Sequence, residues 1–227
     1  MIKKGLFITF EGLDGSGKTT QIELLNNYLK SKGFDVVTTI EPGGTEIGGK
    51  IRNILLDKGN LDMSHKAEIF LFLASRAELV SEVIAPALRE GKIVICDRFF
   101  DSTVVYQGIA RGLGEKQVLD MSLWATGGIV PDITFLLSVE VSRGKKRIDT
   151  PHQLSFAEIY LVKVSRGKKR DRIELENDNF KKKIYKGYLD IARKNKDRIV
   201  VINGEKNIES IFEEIKSKVC EYLKNRK

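Results

Sequence analysis

The stretch "GLDGSGKTT" near the start of the chain constrains its fold more than any other feature of the sequence. Gly12, four further residues, then Gly17, Lys18 and Thr19 have the spacing of a phosphate-binding P-loop. Glycine enters backbone conformations that other residues avoid, which lets main-chain N–H groups approach an anion closely. An apolar run at 6–10 precedes the stretch and a helical pattern follows it. Strand, loop and helix N-terminus therefore occur in the order that a phosphate site requires.

This pattern predicts a nucleotide triphosphate site. We expect Lys18 to reach the β and γ oxygens and the hydroxyl of Thr19 to ligate Mg²⁺. The residues predicted to bind ATP are Gly12, Leu13, Asp14, Gly15, Ser16, Gly17, Lys18 and Thr19.

Apolar, β-branched runs alternate with helical patterns along the whole chain. The predicted strands are 6–10, 34–40, 92–96, 133–137 and 198–202, and the predicted helices are near 18–32, 47–57, 65–89, 115–127, 177–195 and 207–224. Such alternation predicts an α/β fold with a mostly parallel five-stranded sheet and helices on both faces. Ligands then bind beyond the carboxyl ends of the strands, in the loops 11–20, 41–46, 97–111 and 139–175. We expect one domain over 1–227, with a mobile lid loop at about 141–175.

Composition excludes several classes of protein. No apolar run approaches the ~18 residues of a membrane span, and no signal-peptide pattern opens the chain, so we expect a cytoplasmic protein that contacts no membrane. The net charge of +8 favours acidic partners. The basic runs lack interleaved aromatic residues, however, so we expect a small polyphosphate rather than a nucleic acid.

The heptapeptide "VSRGKKR" occurs twice, at 141–147 and at 164–170. The segment between the copies is not itself repeated, which excludes a solenoid. We interpret the second copy as an insertion by short duplication within a loop, where extra residues are tolerated.

P-loops occur in motor ATPases, switch GTPases and small-molecule kinases, so the loop alone leaves the function open. The Asn-Lys-x-Asp guanine-recognition motif and the Asp-x-x-Gly switch motif of GTPases are not found in suitable places. Polar residues at other strand ends instead suit a second, smaller nucleotide.

Six segments together carry a resemblance to a known family. They are "FEGLDGSGKTTQ", "EPGGTEIG", "LFLASRAELV", "CDRFFDSTVVYQG", "ARGLG" and "DRIELENDNF". In order and spacing the chain resembles the bacterial-type thymidylate kinases, P-loop nucleoside monophosphate kinases, over nearly its whole length. The resemblance implies a three-layer P-loop NTPase fold, usually in a homodimer. It also implies phosphoryl transfer from ATP to dTMP, giving dTDP and ADP, with Mg²⁺.

The resemblance also implies roles for individual residues. Asp14 would hold the 3′-hydroxyl of dTMP, Phe72 would stack on thymine and Arg76 would bond the base edge. Arg98 would hold the acceptor phosphate, with Arg52 as a further phosphate contact. The predicted dTMP-binding residues are Asp14, Arg52, Phe72, Arg76, Arg98, Ser102, Tyr106 and Gln107. Aromatic faces suit a base and guanidinium groups suit phosphate, which agrees with these roles.

The predicted metal residues are Thr19 and Asp97, since Asp97 ends an apolar run as the metal-side carboxylate of a P-loop enzyme does. Lys18, Arg98 and a lid arginine are expected to stabilise the transferred phosphoryl group. The candidates for that lid arginine are Arg166, Arg170 and Arg172, with Arg143 and Arg147 in the other copy of the repeat.

Two departures from the family pattern stand out. Ile40 occupies the position before "EPGGT" where the family usually has arginine, and the lid is about 16 residues longer than usual by our alignment. Two alternatives also remain open at this point. The chain could phosphorylate a different nucleoside monophosphate, or it could be a nucleic-acid-associated P-loop ATPase or an inactive binding module.

Overall fold

A computed structural model describes residues 5–141 and 171–225. Five strands form one fully parallel sheet in the order β2-β3-β1-β4-β5. The strands are β1 Leu6–Glu11, β2 Val36–Ile40, β3 Ile93–Asp97, β4 Ile133–Ser138 and β5 Ile199–Asn203. The register pairs Phe10 with Asp97 on one side of β1 and with Phe135 on the other. The carboxyl ends of the three central strands therefore lie side by side.

Helices connect and cover the strands. They are α1 Lys18–Ser31, α2 Glu46–Leu56, α3 His65–Leu79, α4 Ala85–Arg89, α5 Phe100–Thr103, α6 Glu115–Ala125, α7 Asp178–Lys194 and α8 Ile208–Asn225. A π-helical turn, Val80–Ile84, joins α3 to α4, and the π-helical segment Val104–Ala110 continues α5. Pro86 follows the first of these turns, at a point where its missing N–H interrupts regular α-helical bonding.

The two faces of the sheet carry separate hydrophobic cores because side chains alternate along each strand. On β1, Phe7 packs into one core, with α3, the segment Val104–Ala110 and α7. Its neighbours Ile8 and Leu6 pack into the other core, with α1 and α8. The result is the predicted arrangement of helix, sheet and helix in three layers. Within the described ranges, no helix is long and apolar enough to cross a membrane.

The sequence-based expectations were wrong in three details. Phe34 lies outside β2 and is 36% exposed. The helical pattern after the glycine loop places Leu24 on one apolar stripe with Ile22, Leu25 and Leu29, but on α1 Leu24 is only half-buried whereas the other three are buried. The stretch 97–111, predicted as a loop after a strand, is helical from Phe100 to Ala110. Its sequence is β-branched and aromatic, which disfavours a helix locally, and burial between α6 and α7 compensates.

Candidate functional site

The glycine loop lies between β1 and α1 and has the backbone geometry of an anion cradle. Gly12, Gly15 and Gly17 all have positive φ, at 136°, 75° and 95°. A Cβ at Gly12 would lie 2.5 Å from the carbonyl oxygen of Leu137, whereas one at Gly17 would meet nothing within 4 Å. Gly17 precedes α1, and no side chain caps this helix start. The first N–H groups of α1 are therefore available to a phosphate.

Lys18 lies folded over this loop. Its Nζ donates to the carbonyl oxygens of Gly12, at 3.2 Å, and Leu13, at 3.1 Å. Burial and then the nearby Arg98 lower the pKa of the Lys18 amino group. Ser16 contributes a buried hydroxyl that has no hydrogen-bond partner within the described structure. The loop thus holds a buried cation and an unused polar group where the P-loop pattern predicts donor phosphates.

Arg98 follows β3 in a left-handed conformation, with φ of 68°. Its backbone N–H donates to the carbonyl oxygen of Phe10, and its Nη2 lies 2.5 Å from Oδ1 of Asp14. Partial burial opposes ionisation of Asp14, but Arg98 and Lys18 outweigh it and hold the pKa of this carboxyl below its usual value. The arginine predicted for the acceptor phosphate therefore touches the glycine loop directly.

A buried carboxylate, Glu11, stabilises this turn. Its Oε1 accepts from the backbone N–H of Phe99 at 2.8 Å, and its Oε2 accepts from the hydroxyls of Ser102 at 2.5 Å and Tyr188 at 2.9 Å. The same two hydroxyls accept from Nη1 of Arg98, each at 3.2 Å. Burial, and secondarily the charge of Asp101, raise the pKa of Glu11 to about 7. Ser102 therefore lies with Arg98, while Gln107 bonds Glu68 on α3.

Arg76 on α3 is almost completely buried and pairs with Glu41, the residue that follows β2. Its Nε and Nη2 donate to Oε2 of Glu41 at 2.8 and 2.6 Å, and Nη2 also donates to the hydroxyl of Thr103. Burial raises the pKa of Glu41 and Arg76 opposes this effect. Nη1 of Arg76 is buried without a hydrogen-bond partner in the described residues. One donor of the predicted base-edge arginine thus remains for a ligand.

The remaining predicted acceptor residues surround these groups. Tyr106 is buried, and the Arg98 guanidinium lies 5.6 Å from its ring centroid. Phe72 is half-buried on α3. Arg52 on α2 donates from Nη1 to the carbonyl oxygen of Pro42 at 2.7 Å, beside Gly43.

The predicted metal residues lie at two neighbouring strand ends. Asp97 is the last residue of β3, and its buried Oδ1 has no hydrogen-bond partner in the described chain. Thr19 is in the first turn of α1. The described residues contain no cluster of three or more histidine, cysteine or acidic residues that could hold a metal alone. This oxygen set suits Mg²⁺, which keeps several waters and takes other ligands from substrate phosphates.

The predicted catalytic arginines of the lid fall into two groups. Arg166 and Arg170, like Arg143, Arg147 and the whole 164–170 repeat, lie outside the described residues. Arg172 is described and is buried, with Nε donating to the carbonyl oxygen of Leu55 at 2.8 Å and Nη2 in an ion pair with Glu68. Its guanidinium thus links "DRIE" to α2 and α3 instead of extending toward the glycine loop.

Sequence reasoning missed the carboxylates that hold the functional side chains. Glu11 and Glu41 lie in the quoted motifs "FEG" and "EPGG", each at the carboxyl end of a strand, and that position was the available signal. Tyr188 on α7 carried no such signal, because it reaches Glu11 across 177 positions of sequence.

Comparisons with known proteins agree with this geometry. The profile described as thymidylate kinase matches residues 10–215. A thymidylate kinase of Maridesulfovibrio salexigens is 43% identical over 219 residues, covering 96% of this chain and 97% of the relative. One from Caldanaerobacter subterraneus subsp. tengcongensis is 42% identical over 224 residues, covering 99% of each chain.

A solved structure agrees as well. The crystal structure of thymidylate kinase from Ehrlichia chaffeensis superposes with a TM-score of 0.72 at 32% identity, covering 95% of this chain and 99% of that one. The sheet order, the glycine loop and the full-length similarity lead to one conclusion: this chain belongs to the thymidylate kinase family, phosphotransferases of the P-loop NTPase fold.

Proposed function

We propose that this chain transfers the γ-phosphoryl group of ATP to dTMP, giving dTDP and ADP. The observation that carries the proposal is the 2.5 Å ion pair between Arg98 and Asp14. It brings an acceptor-side cation to the loop that receives the donor phosphates, as direct transfer between two bound nucleotides requires. The relatives named thymidylate kinase supply the identity of the acceptor.

Phosphoryl transfer depends on positioning and on neutralisation of charge more than on covalent chemistry. We assign the donor phosphates to residues 12–19, with Lys18 on the transferred group. Arg98 presents a planar fork to the acceptor phosphate, and Arg76 offers its unpaired Nη1 to the base edge. We assign Phe72 to base stacking, Ser102 and Gln107 to the acceptor pocket, and Tyr106 to the sugar.

Mg²⁺ is part of the proposal. Asp97 and Thr19 would hold it, the aspartate through water, and the bound ion would neutralise charge on the donor phosphates. The support is the unpaired buried Oδ1 of Asp97 beside the glycine loop. We also assign catalytic roles to Arg166 and Arg170, while the buried pairing of Arg172 favours a structural role for that residue.

Arg52 offers a replacement for the arginine that the family usually has at position 40. Ile40 provides no charge, but the Arg52 side chain and Ile40 both flank Gly43, within 4 Å of where a Cβ on that glycine would lie. The Arg52 side chain, which extends from α2, therefore reaches the turn that follows position 40, where the family arginine would lie.

We further propose that the chain acts as a single domain within a homodimer in the cytoplasm, where its substrates occur. The dimer contact is assigned to an exposed apolar stripe on α3, formed by Ala67, Phe70, Ala74 and Ala77. Phe70 is 60% exposed. The helical segment from Phe100 to Ala110 is largely buried against the rest of the chain, so it offers less apolar surface for such a contact.

An ADP-release assay with ATP and Mg²⁺ tests the activity against dTMP, dUMP, dCMP, UMP and AMP in parallel. We expect ADP formation to depend on an acceptor and to be fastest with dTMP. Arg98→Ala should lower kcat/KM for dTMP by about 100-fold or more, since a charge-assisted phosphate contact is lost. Arg89→Ala, which removes an exposed arginine of α4, is the matched control and should have no effect. A preference for another acceptor, or ATP hydrolysis stimulated by DNA or RNA, would contradict the proposal.

A further inference from the structure

Glu68 on α3 is a fully buried carboxylate where three segments of the chain meet. Its Oε1 accepts from Nε2 of Gln107 at 2.8 Å and from Nε of Arg111 at 3.2 Å. Its Oε2 lies 2.5 Å from Nη2 of Arg172 and accepts from Nη2 of Arg111 at 3.3 Å. The motifs "ARGLG" and "DRIE", which the catalytic assignment leaves unused, therefore both supply arginines to this carboxylate.

Both arginines are themselves anchored elsewhere. Arg111 donates from Nη1 to Glu176, and its guanidinium lies 4.5 Å from the ring centroid of Phe180. Arg172 donates from Nε to the carbonyl oxygen of Leu55. Burial alone would raise the pKa of Glu68, but the hydrogen bond from Gln107 and the charges of Arg111 and Arg172 hold it below its ordinary value. Both oxygens of Glu68 face N–H donors of two guanidinium groups and an amide, so this carboxylate pairs as an anion that accepts hydrogen bonds and donates none.

An ionised carboxylate in this position determines which end of the Gln107 amide faces it. The NH₂ end must point to Glu68, since two oxygens in contact would repel, and the carbonyl Oε1 then occupies the other end of the amide. In the described part of the chain, no hydrogen bond to this Oε1 is found. The Gln107 amide is therefore held in one orientation, with Oε1 as a hydrogen-bond acceptor on the side away from Glu68, and it cannot flip to present its NH₂ group there.

We propose that Glu68 is a positioning residue that sets the base preference of the acceptor site by fixing Oε1 of Gln107 toward the base. The proposal rests on the function proposed above. Position N3 of thymine or uracil carries a hydrogen that can donate to Oε1, whereas N3 of cytosine is an acceptor and would oppose it. A reversible amide would serve both bases, because its NH₂ end would satisfy cytosine.

The test compares kcat/KM for dTMP with kcat/KM for 5-methyl-dCMP, which keeps the sugar, phosphate and 5-methyl group. Glu68→Gln retains the volume of the side chain but lets both amides reverse. We expect the dTMP to 5-methyl-dCMP ratio to fall at least about 10-fold, the scale of one mispaired hydrogen bond at a buried site. General damage to the fold would instead lower both values together.

Two further variants separate this role from others. Gln107→Leu should lower the same ratio, and adding Glu68→Gln to it should produce no further change if Glu68 acts through Gln107. Asp101→Asn is the matched control. It also converts a buried carboxylate to an amide, in a two-bond ion pair with Arg198 at 2.6 and 2.7 Å, and should leave the ratio unchanged.

Glu68→Asp covers the case in which Glu68→Gln fails to fold. It keeps the charge that Arg111 and Arg172 require but withdraws the carboxylate from Gln107, so the ratio should still fall. An unchanged ratio in a folded Glu68→Gln or Glu68→Asp protein would overturn the proposal. Failure of the wild-type protein to use dTMP at all would instead reject the proposed function, which keeps the two results distinct.

Discussion

At the scale of single residues, two of the arginines assigned to substrate are already paired with carboxylates. Arg76 is held by Glu41 and Arg98 by Asp14. Pairing reduces the cost of keeping a guanidinium buried and fixes its direction before the ligand arrives. The two pairs differ in one respect: Arg76 keeps an unpaired Nη1, whereas Arg98 uses both terminal nitrogens. We therefore expect acceptor binding to rearrange Arg98 more than Arg76.

Removing the Glu41 charge should destabilise the protein strongly. Glu41→Gln leaves Arg76 as a buried cation without its counter-ion, which typically costs about 3 to 5 kcal/mol. Urea unfolding monitored by circular dichroism measures the change. Glu46→Gln breaks the exposed pair with Lys50 and should leave the unfolding free energy nearly unchanged, because water and salt screen exposed charges. Equal effects of both substitutions would disprove this account of Glu41.

Glu11 should make stability depend on pH between about 4.5 and about 7. Because its pKa is raised to about 7 in the folded protein, the native state holds a proton in this range that the unfolded state has released. Stability therefore falls as pH rises, and Glu11 contributes a decrease of about 2 to 3 kcal/mol between pH 5 and pH 8.

Measuring the unfolding free energies of wild type and Glu11→Gln at pH 5 and at pH 8 isolates this contribution. The hydrogen bonds that the substitution removes are lost at both pH values, so their effect cancels in the comparison. We expect the decrease in stability to be smaller in the variant by that amount. Glu221→Gln, on the exposed side of α8, serves as the surface control. The same pH dependence in Glu11→Gln as in wild type would show that Glu11 does not titrate in this range.

At the scale of elements, the site is built from turns that follow parallel strands. Strand β1 leads to the glycine loop, β2 leads to Glu41, and β3 leads to Arg98 in its left-handed turn. The turn after β3 is fixed to β1 by two bonds, from the N–H of Arg98 to the carbonyl oxygen of Phe10 and from the N–H of Phe99 to Glu11. Adjacent strands thus bring together residues more than 80 positions apart.

Gly12 should be intolerant of any side chain. In Gly12→Ala the new Cβ would lie 2.5 Å from the carbonyl oxygen of Leu137, at a φ of 136°. We expect a loss of more than about 2 kcal/mol in stability and a reduced ATP-induced rise in Tm, because the loop must move away from β4. Gly49→Ala is the matched control: it lies within α2 with open space around it, and should be neutral or stabilise by up to about 1 kcal/mol. An ATP response retained in full by Gly12→Ala would refute this reading of the loop.

At the scale of the whole molecule, two hydrophobic cores enclose one parallel sheet and leave the carboxyl ends of its strands open for substrates. The same packing leaves an apolar stripe on the outside of α3, whose opposite face carries Glu68 and Arg76. A contact on this stripe would therefore be one helix diameter from the acceptor pocket. Association and substrate binding should be linked through α3.

Phe70→Asp should weaken self-association by placing a charge on this stripe. We expect sedimentation velocity to show a shift from dimer toward monomer, with dTMP affinity lowered as α3 loses its support. Ile208→Asp places the same charge at a site that is 50% exposed at the start of α8 and should leave association unchanged. A wild-type protein that is monomeric at assay concentrations would refute the dimer proposal.

Local sequence predicted most of the fold because its signals are short-range. The apolar runs located all five strands, with bounds differing by one or two residues, and the glycine loop marked the start of α1. The segment 100–110 was missed as a helix because its residues favour strands locally. Only packing against α6 and α7 makes it helical.

The sequence by itself determined the P-loop, the order of strands and helices, and the residue types that suit two nucleotides, because each depends on neighbours within a few positions. The tertiary structure alone decided which carboxylate holds which arginine: Glu41 with Arg76, Glu11 with the turn at Arg98, and Glu68 with Arg111 and Arg172. These pairs join residues 35 to 104 positions apart, and many acidic side chains could have served. Burial selects among them, because a charge that is removed from water needs an oppositely charged partner beside it, and only the tertiary structure determines which residue lies there.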